Sequence, residues 1–125
     1  MVFHNEPIFF TKNIINYLGF VDDVRPYILK SNCVVLPSYR EGLSHTLIEA
    51  LAMGKPIITT DVPGCREVID RNGFKVPAQN VQALVEAMSQ MLNSDIKEFG
   101  LNSLKLAQQF DIRSVNNETL KIYEN

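Results

Sequence analysis

Ser38–Asp61 reads SYREGLSHTLIEALAMGKPIITTD. It follows Cys33–Pro37, CVVLP, a continuous apolar run with two valines. Continuous rather than alternating apolarity marks a strand buried on both faces, as in a parallel sheet. The quoted stretch then predicts a loop over Ser38–Gly42 and a helix that begins near Ser44–Thr46 and runs through LIEALAM. Gly54 stands where a helix C-terminus takes a glycine. Lys55 and Pro56 lead into IITT, a second short β-branched strand. Two glutamates frame the unit, Glu41 and Glu49, with seven residues between them. Glu41 lies in the loop, and Glu49 sits inside an otherwise apolar helix. A charge in such a helix needs a partner or an exit to water.

Upstream, residues 1–13 show no clear period, although Ile8, Phe9 and Phe10 can cover a core edge. Asn13–Phe20, NIINYLGF, reads as a strand ending at Gly19. Asp22 or Asp23 can cap the following helix, VRPYILKS, in whose first turn Pro26 is tolerated. Downstream, Val62-Pro63-Gly64 reads as a turn, CREVID as a short helix, Asn72-Gly73 as a turn and Phe74–Val76 as a brief strand. Asn80 caps VQALVEAMSQML, whose apolar residues recur with helical period. Asp95 and Glu98 have capping-box spacing for a helix over Ile96–Phe110, which Gly100 weakens by roughly 1 kcal/mol relative to alanine. Asp111 caps a third helix, IRSVNNETLKIY. Strands alternating with helices, then consecutive helices, make an α/β fold: a Rossmann-like parallel sheet with flanking helices and C-terminal helices.

The 125 residues make one domain the natural expectation, with 46% hydrophobic and 21% charged residues. Disorder, collagen and coiled coil do not fit this composition. The net charge of −2 comes without a basic face, so no nucleic-acid partner is expected. No apolar run is long enough for a transmembrane segment, and the start does not read as a signal peptide. Cys33 and Cys65 make no metal pattern and read as two reduced thiols of a cytoplasmic protein.

Open parallel sheets bind ligands outside the carboxyl ends of their strands. CVVLP points its carboxyl end at Ser38–Gly42, which places Glu41 at that edge. The next helix begins there and presents free N–H groups and the positive end of its dipole, which suits phosphate. A side chain on a helix leans toward its start, so Glu49 can face the same cleft as Glu41. Other readings stand beside this one. Thr46-x-x-Glu49 is also a capping-box spacing, and Glu41 can be a solvated loop charge. His45 has no evident metal partner. Arg40 and Lys55 are phosphate partners or surface charges. Asp61 and Glu67 contact a ligand or cap a turn.

Three segments together carry a resemblance: GFVDDVRPYI, then VVLPSYREGLSHTLIEALAMGKPIITTDVPGCREVI, then NGFKVP. The chain resembles the C-terminal, nucleotide-sugar-binding domain of GT-B glycosyltransferases of the retaining family four, over roughly residues 13–125. It is most similar to the bacterial type that builds polysaccharides and lipid-linked glycans. The resemblance implies that Glu41 contacts the donor sugar as the catalytic glutamate and that Glu49 holds the ribose hydroxyls. A carboxylate suits a vicinal diol because it accepts two hydrogen bonds. It further implies that Gly42 and Leu43 let the backbone approach the sugar, while Ser44, His45, Thr46 and Leu47 offer N–H groups to the diphosphate. No metal and no cofactor is expected beyond a nucleoside-diphosphate sugar, most simply a UDP-sugar.

The family pairs this domain with an N-terminal acceptor-binding domain and places an Arg/Lys pair on the diphosphate. Neither is found here, since Lys12 is the only basic residue before Asn13. A proline common in the family is replaced by Ser44. Residues 1–125 therefore read as a single, incomplete C-terminal donor-binding domain, inactive alone. Its partner would be an N-terminal glycosyltransferase domain or chain. The intact enzyme would be cytoplasmic and peripheral to the inner membrane face. The alternative is a non-catalytic assembly module that pairs with another chain through Phe3, Ile8, Phe9 and Phe10.

Overall fold

The structure is a computed structural model that describes residues 2–3, 15, 17–39 and 44–110. Its sheet has the order β1-β2-β3-β4, with β1 at Val2–Phe3, β2 at Cys33–Leu36, β3 at Ile57–Thr60 and β4 at Gly73–Val76. β2, β3 and β4 are parallel: Val34 pairs with Ile57, and Ile57 with Gly73. β1 runs antiparallel to β2. The helices are α1 at Arg25–Lys30, α2 at His45–Ala52, α3 at Val81–Leu92 and α4 at Ile96–Gln109.

Alternation along the strands builds a core on each face of the sheet. Val34 and Ile57 join Ile28 of α1, Leu47, Ala50 and Leu51 of α2, and Leu106 of α4. Cys33, Val35 and Ile58 join Val76, with Ala87 and Met91 of α3. α4 serves both sides: Leu106 belongs to the first cluster, while Ile96 and Phe99 pack against the second. Phe99 meets Phe74 edge-on, with ring centroids 5.8 Å apart. This is the expected Rossmann-like arrangement, three parallel strands with helices on both faces.

Local chemistry sets the helix ends. Asn80 accepts from the N–H of Ala83, and Asp95 from that of Glu98. α2 closes in a Schellman motif: Gly54, at φ +69°, donates to Leu51 O, and Lys55 N–H to Ala50 O. Asp23 accepts from Arg25 N–H, but stands one residue before the N-cap position, Val24. The Arg25 guanidinium and backbone N–H beside it hold the Asp23 carboxyl down to about 2.

Three expectations need correction. Residues 17–20 of NIINYLGF form no strand, and Tyr17 and Phe20 are almost fully exposed. Strand propensity needs a partner strand and a covered face, and Gly19 at φ +69° breaks the extended backbone. The fourth strand is instead β1, inside the stretch read as irregular, and two residues are too few to show a period. CREVID shortens to one turn of 3-10 helix, Arg66–Val68. The helix expected after Asp111 lies outside the described residues.

Candidate functional site

All three parallel strands end at one edge, and α2 begins there. Ser44, in extended conformation at φ −79° and ψ 116°, is the N-cap, and its Oγ accepts from Leu47 N–H at 3.3 Å. Ser44 is buried. The first N–H groups of α2 thus open on the carboxyl edge of the sheet, with one of them, that of Leu47, already taken by Ser44.

Glu49 is half-buried on α2, one turn beyond His45 and Thr46. Residues three and four apart share a helix face, so His45, Thr46 and Glu49 line one strip. Its opposite side, Leu47, Ala50 and Leu51, is sealed in the core. With Ser44 as the cap, Thr46 lies inside the helix, and the Thr46–Glu49 capping box does not form. His45 and Glu49 both have polar or electrostatic partners in the structure. Arg40, Glu41, Gly42 and Leu43 lie outside the described residues. The structure therefore brings Ser44, His45, Thr46 and Glu49 of the expected site together, whereas Leu47 departs from the expectation: its N–H is bonded to Ser44 Oγ and its side chain lies in the core.

Lys55, Glu67 and Asp61 each have partners of their own. Lys55 precedes β3 and lies at the amino edge, where its Nζ donates to Leu29 O at 2.9 Å. That position is away from the site and, of its two readings, agrees with a surface charge rather than a phosphate partner. Glu67 accepts from Gly64 N–H at 2.8 Å, and Asp61 pairs with Arg66 at 3.5 Å. Both hold the turn after β3. Among the described residues no group of three or more His, Cys, Asp or Glu side chains could hold a metal ion. Both cysteines are buried, and desolvation pushes the Cys33 thiol up to about 12. No helix among the described residues is long and apolar enough to cross a membrane.

Sequence reasoning missed the hydroxyls that close the edge. Thr59 Oγ1 donates to Leu36 O at 2.8 Å, and Thr60 Oγ1 to Ser38 O at 2.6 Å. The available signal was a pair of hydroxyls in a strand that is buried throughout.

Residues 7–94 match the family described as "Glycosyl transferases group 1". The chain belongs to that family. Among curated relatives, this family member is 31% identical over 120 residues to N,N'-diacetylbacillosaminyl-diphospho-undecaprenol alpha-1,3-N-acetylgalactosaminyltransferase of Campylobacter jejuni, covering 93% of this chain and 32% of the relative. It is 29% identical over 114 residues to O-antigen chain mannosyltransferase B of Escherichia coli, covering 88% and 30%. The chain thus spans about a third of the length of these relatives. Sucrose-phosphate synthase from Thermosynechococcus elongatus superposes with a TM-score of 0.65 at 30% identity, covering 81% of this chain and 27% of that one. Anabaena HepE in complex with UDP superposes at 0.74 and 22% identity, covering 90% and 32%, a likeness of fold.

Proposed function

We propose that this glycosyl transferase chain is the C-terminal, donor-binding domain of a retaining enzyme of family four, and that it takes a nucleoside-diphosphate sugar, most simply a UDP-sugar. The observation that carries the reading is the start of α2 on the carboxyl edge of the parallel sheet, with Glu49 one turn inside it. The helix start suits a diphosphate, and the Glu49 carboxylate suits the ribose diol. The UDP held by the fold neighbour HepE agrees with the choice of base. Glu41 would face the donor sugar. In the transfer, C1 bonds to the acceptor oxygen as its bond to the β-phosphate oxygen breaks, with configuration kept. The nucleoside diphosphate leaves with the electron pair and takes up the acceptor proton. Fixed N–H groups at the helix start stabilise the charge that develops on it. The acceptor would be a glycan or lipid-linked glycan at the cytoplasmic membrane face, bound by a domain outside these residues, so the chain alone would transfer no sugar.

Titration with UDP, GDP and ADP, followed by amide NMR shifts, tests the reading. Saturable shifts over residues 41–49 with one nucleotide, lost in Glu49→Ala, are expected. Absence of shifts with all three would refute it.

A second reading, a non-catalytic module that pairs with another chain, is favoured by the exposure of Ile15, Tyr17 and Phe20, at 82–92%. A clean monomer on a sizing column, with no added mass in the presence of an N-terminal glycosyltransferase domain, would count against it.

A further inference from the structure

The amino edge of the sheet carries a groove of about 280 Å³. Ser31, just before β2, and Lys55 and Pro56, just before β3, line it from the sheet side. Lys97, Leu101 and Leu104 line it from α4. At about 100° per residue, Lys97, Leu101, Leu104, Lys105 and Gln108 share one strip of that helix. All five are exposed, Leu101 by 53% and Leu104 by 40%. Leu29, in the last turn of α1, is 65% exposed, and Lys30 beside it is exposed too. Lys55 ties into this turn, since its Nζ donates to Leu29 O. An ammonium has three N–H groups, so this bond does not exhaust it. Three leucines thus meet water among four lysines. Among the described residues no carboxylate lines the groove. Asp95 and Glu98 stand at the start of α4, which leaves lysine in excess of acid.

Single exposed leucines are ordinary, but three about one groove form a patch of the kind that a partner covers. The residue types select the partner. Protein interfaces concentrate aromatic side chains and arginine at their centre and deplete lysine. Among the described residues no aromatic side chain and no arginine lines this groove. Leucine with lysine around it suits an anionic bilayer. The leucines enter the acyl boundary, and each lysine lays its stem on apolar surface while its ammonium meets the headgroups. We propose that this edge, from Leu29 and Lys30 across the groove to Lys97, Leu101, Leu104 and Lys105, is a docking surface for an anionic lipid bilayer. The proposal does not rest on the donor-site reading, because the groove and the start of α2 lie at opposite edges of the sheet.

The test is co-sedimentation of the 125-residue chain with vesicles of phosphatidylcholine alone and of phosphatidylcholine with about one-third phosphatidylglycerol. Binding to the mixed vesicles only is expected, weakening as salt rises from about 0.05 M to about 0.5 M. Lys97→Gln and Lys105→Gln should each lower the partition coefficient about fivefold, the worth of one lysine near an anionic surface. Leu101→Ser should lower it as well. Lys75→Gln, exposed on β4, makes the same change of net charge away from the groove and should leave the coefficient within about twofold. A nitroxide-labelled lipid in bicelles of the mixed composition should broaden the Leu29, Leu101 and Leu104 amides ahead of those at the start of α2. The substituted side chains are exposed, so the fold is retained, as circular dichroism would check. Equal binding to both vesicles, binding to neither, or an equal loss in Lys75→Gln and Lys97→Gln would overturn the proposal. Retention on immobilised poly-glutamate without vesicle binding would also overturn it and assign the surface to an acidic protein. Nucleotide-induced shifts should be the same in Lys97→Gln as in the unaltered chain. The vesicle result decides the proposal whether or not the chain binds a nucleotide.

Discussion

Replacing Gly100 by alanine sets two opposing effects against each other. Helix propensity favours the change, since a glycine in a helix interior costs about 1 kcal/mol relative to alanine. Packing opposes it. A Cβ on Gly100 would stand 2.4 Å from Gly54 O and 3.5 Å from Gly54 C. Real Cβ atoms do not come within 3.0 Å of such an atom, so α4 must retreat by at least about 0.6 Å. Gly54 has little freedom to yield. It is locked at φ +69° by the Schellman bonds that end α2, and Leu104 lies against its own open side. Retreat of α4 would draw Ser103 away from Lys55 O, now at 2.7 Å, and from Asn72 Nδ2, at 3.1 Å. Overpacking of this kind costs about 1–3 kcal/mol, and the weakened buried bonds add about 1 kcal/mol. The net expectation is a loss of about 1–3 kcal/mol. In a chain of this size that lowers the melting temperature by roughly 4 °C per kcal/mol. Thermal and urea unfolding followed by far-ultraviolet circular dichroism would measure it. A rise in stability near the 1 kcal/mol that propensity alone gives would refute the reasoning.

Asn72→Ala is expected to cost about 2–4 kcal/mol in urea unfolding, because Asn72 is fully buried and bonds Val68 O, Ser103 Oγ and Asp70 N–H. Ser44→Ala removes the N-cap of α2 and is expected to lower stability by about 1 kcal/mol, with Ser44→Asp retaining most of it. The folded Cys33 thiol lies near 12, above its ordinary 9.0, so its contribution is full below about pH 9 and falls as pH rises through 12. The slope is about 1.4 kcal/mol per pH unit for one proton, and Cys33→Ala should flatten it in alkaline denaturation. Both cysteines should resist alkylation in the native chain and react once it is unfolded in urea, as mass spectrometry would show.

The legible parts of this fold are those whose cause lies within a few residues. The run CVVL predicted a strand buried on both sides, and Cys33, Val34 and Val35 do divide between two cores. Asn80 and Asp95 bond N–H groups three residues on, so their caps could be read directly. Where the cause is distant, reading failed. NIINYLGF has strand propensity, but propensity cannot supply the neighbouring strand. Asn72-Gly73 was read as a plain turn signal. Yet Asn72 is an interior residue tied to Ser103, and Gly73 is glycine because a Cβ there would overlap Ile57 O at 1.6 Å. Gly100 is the same case: its reason is Gly54, which adjoins it only after folding.

The site divides along the same line. The spacing of Glu41 and Glu49 belongs to one short stretch, and Ser44 and Thr46 offered two local choices for the cap between them. The structure chooses Ser44, a shift of two residues with a chemical consequence. With Thr46 as cap, Glu49 would serve the helix by holding a backbone N–H, and its charge would need no further explanation. With Ser44 as cap, Thr46 and Glu49 both lie inside the helix, and Glu49 is a half-buried carboxylate one turn beyond His45 with a polar or electrostatic partner of its own. A polar surface at that place costs desolvation that an apolar residue would avoid. Thr60 could not be found this way, because its partner, Ser38, lies 22 residues back. Its hydroxyl becomes meaningful only when the parallel pairing of β2 and β3 brings the two strand ends together.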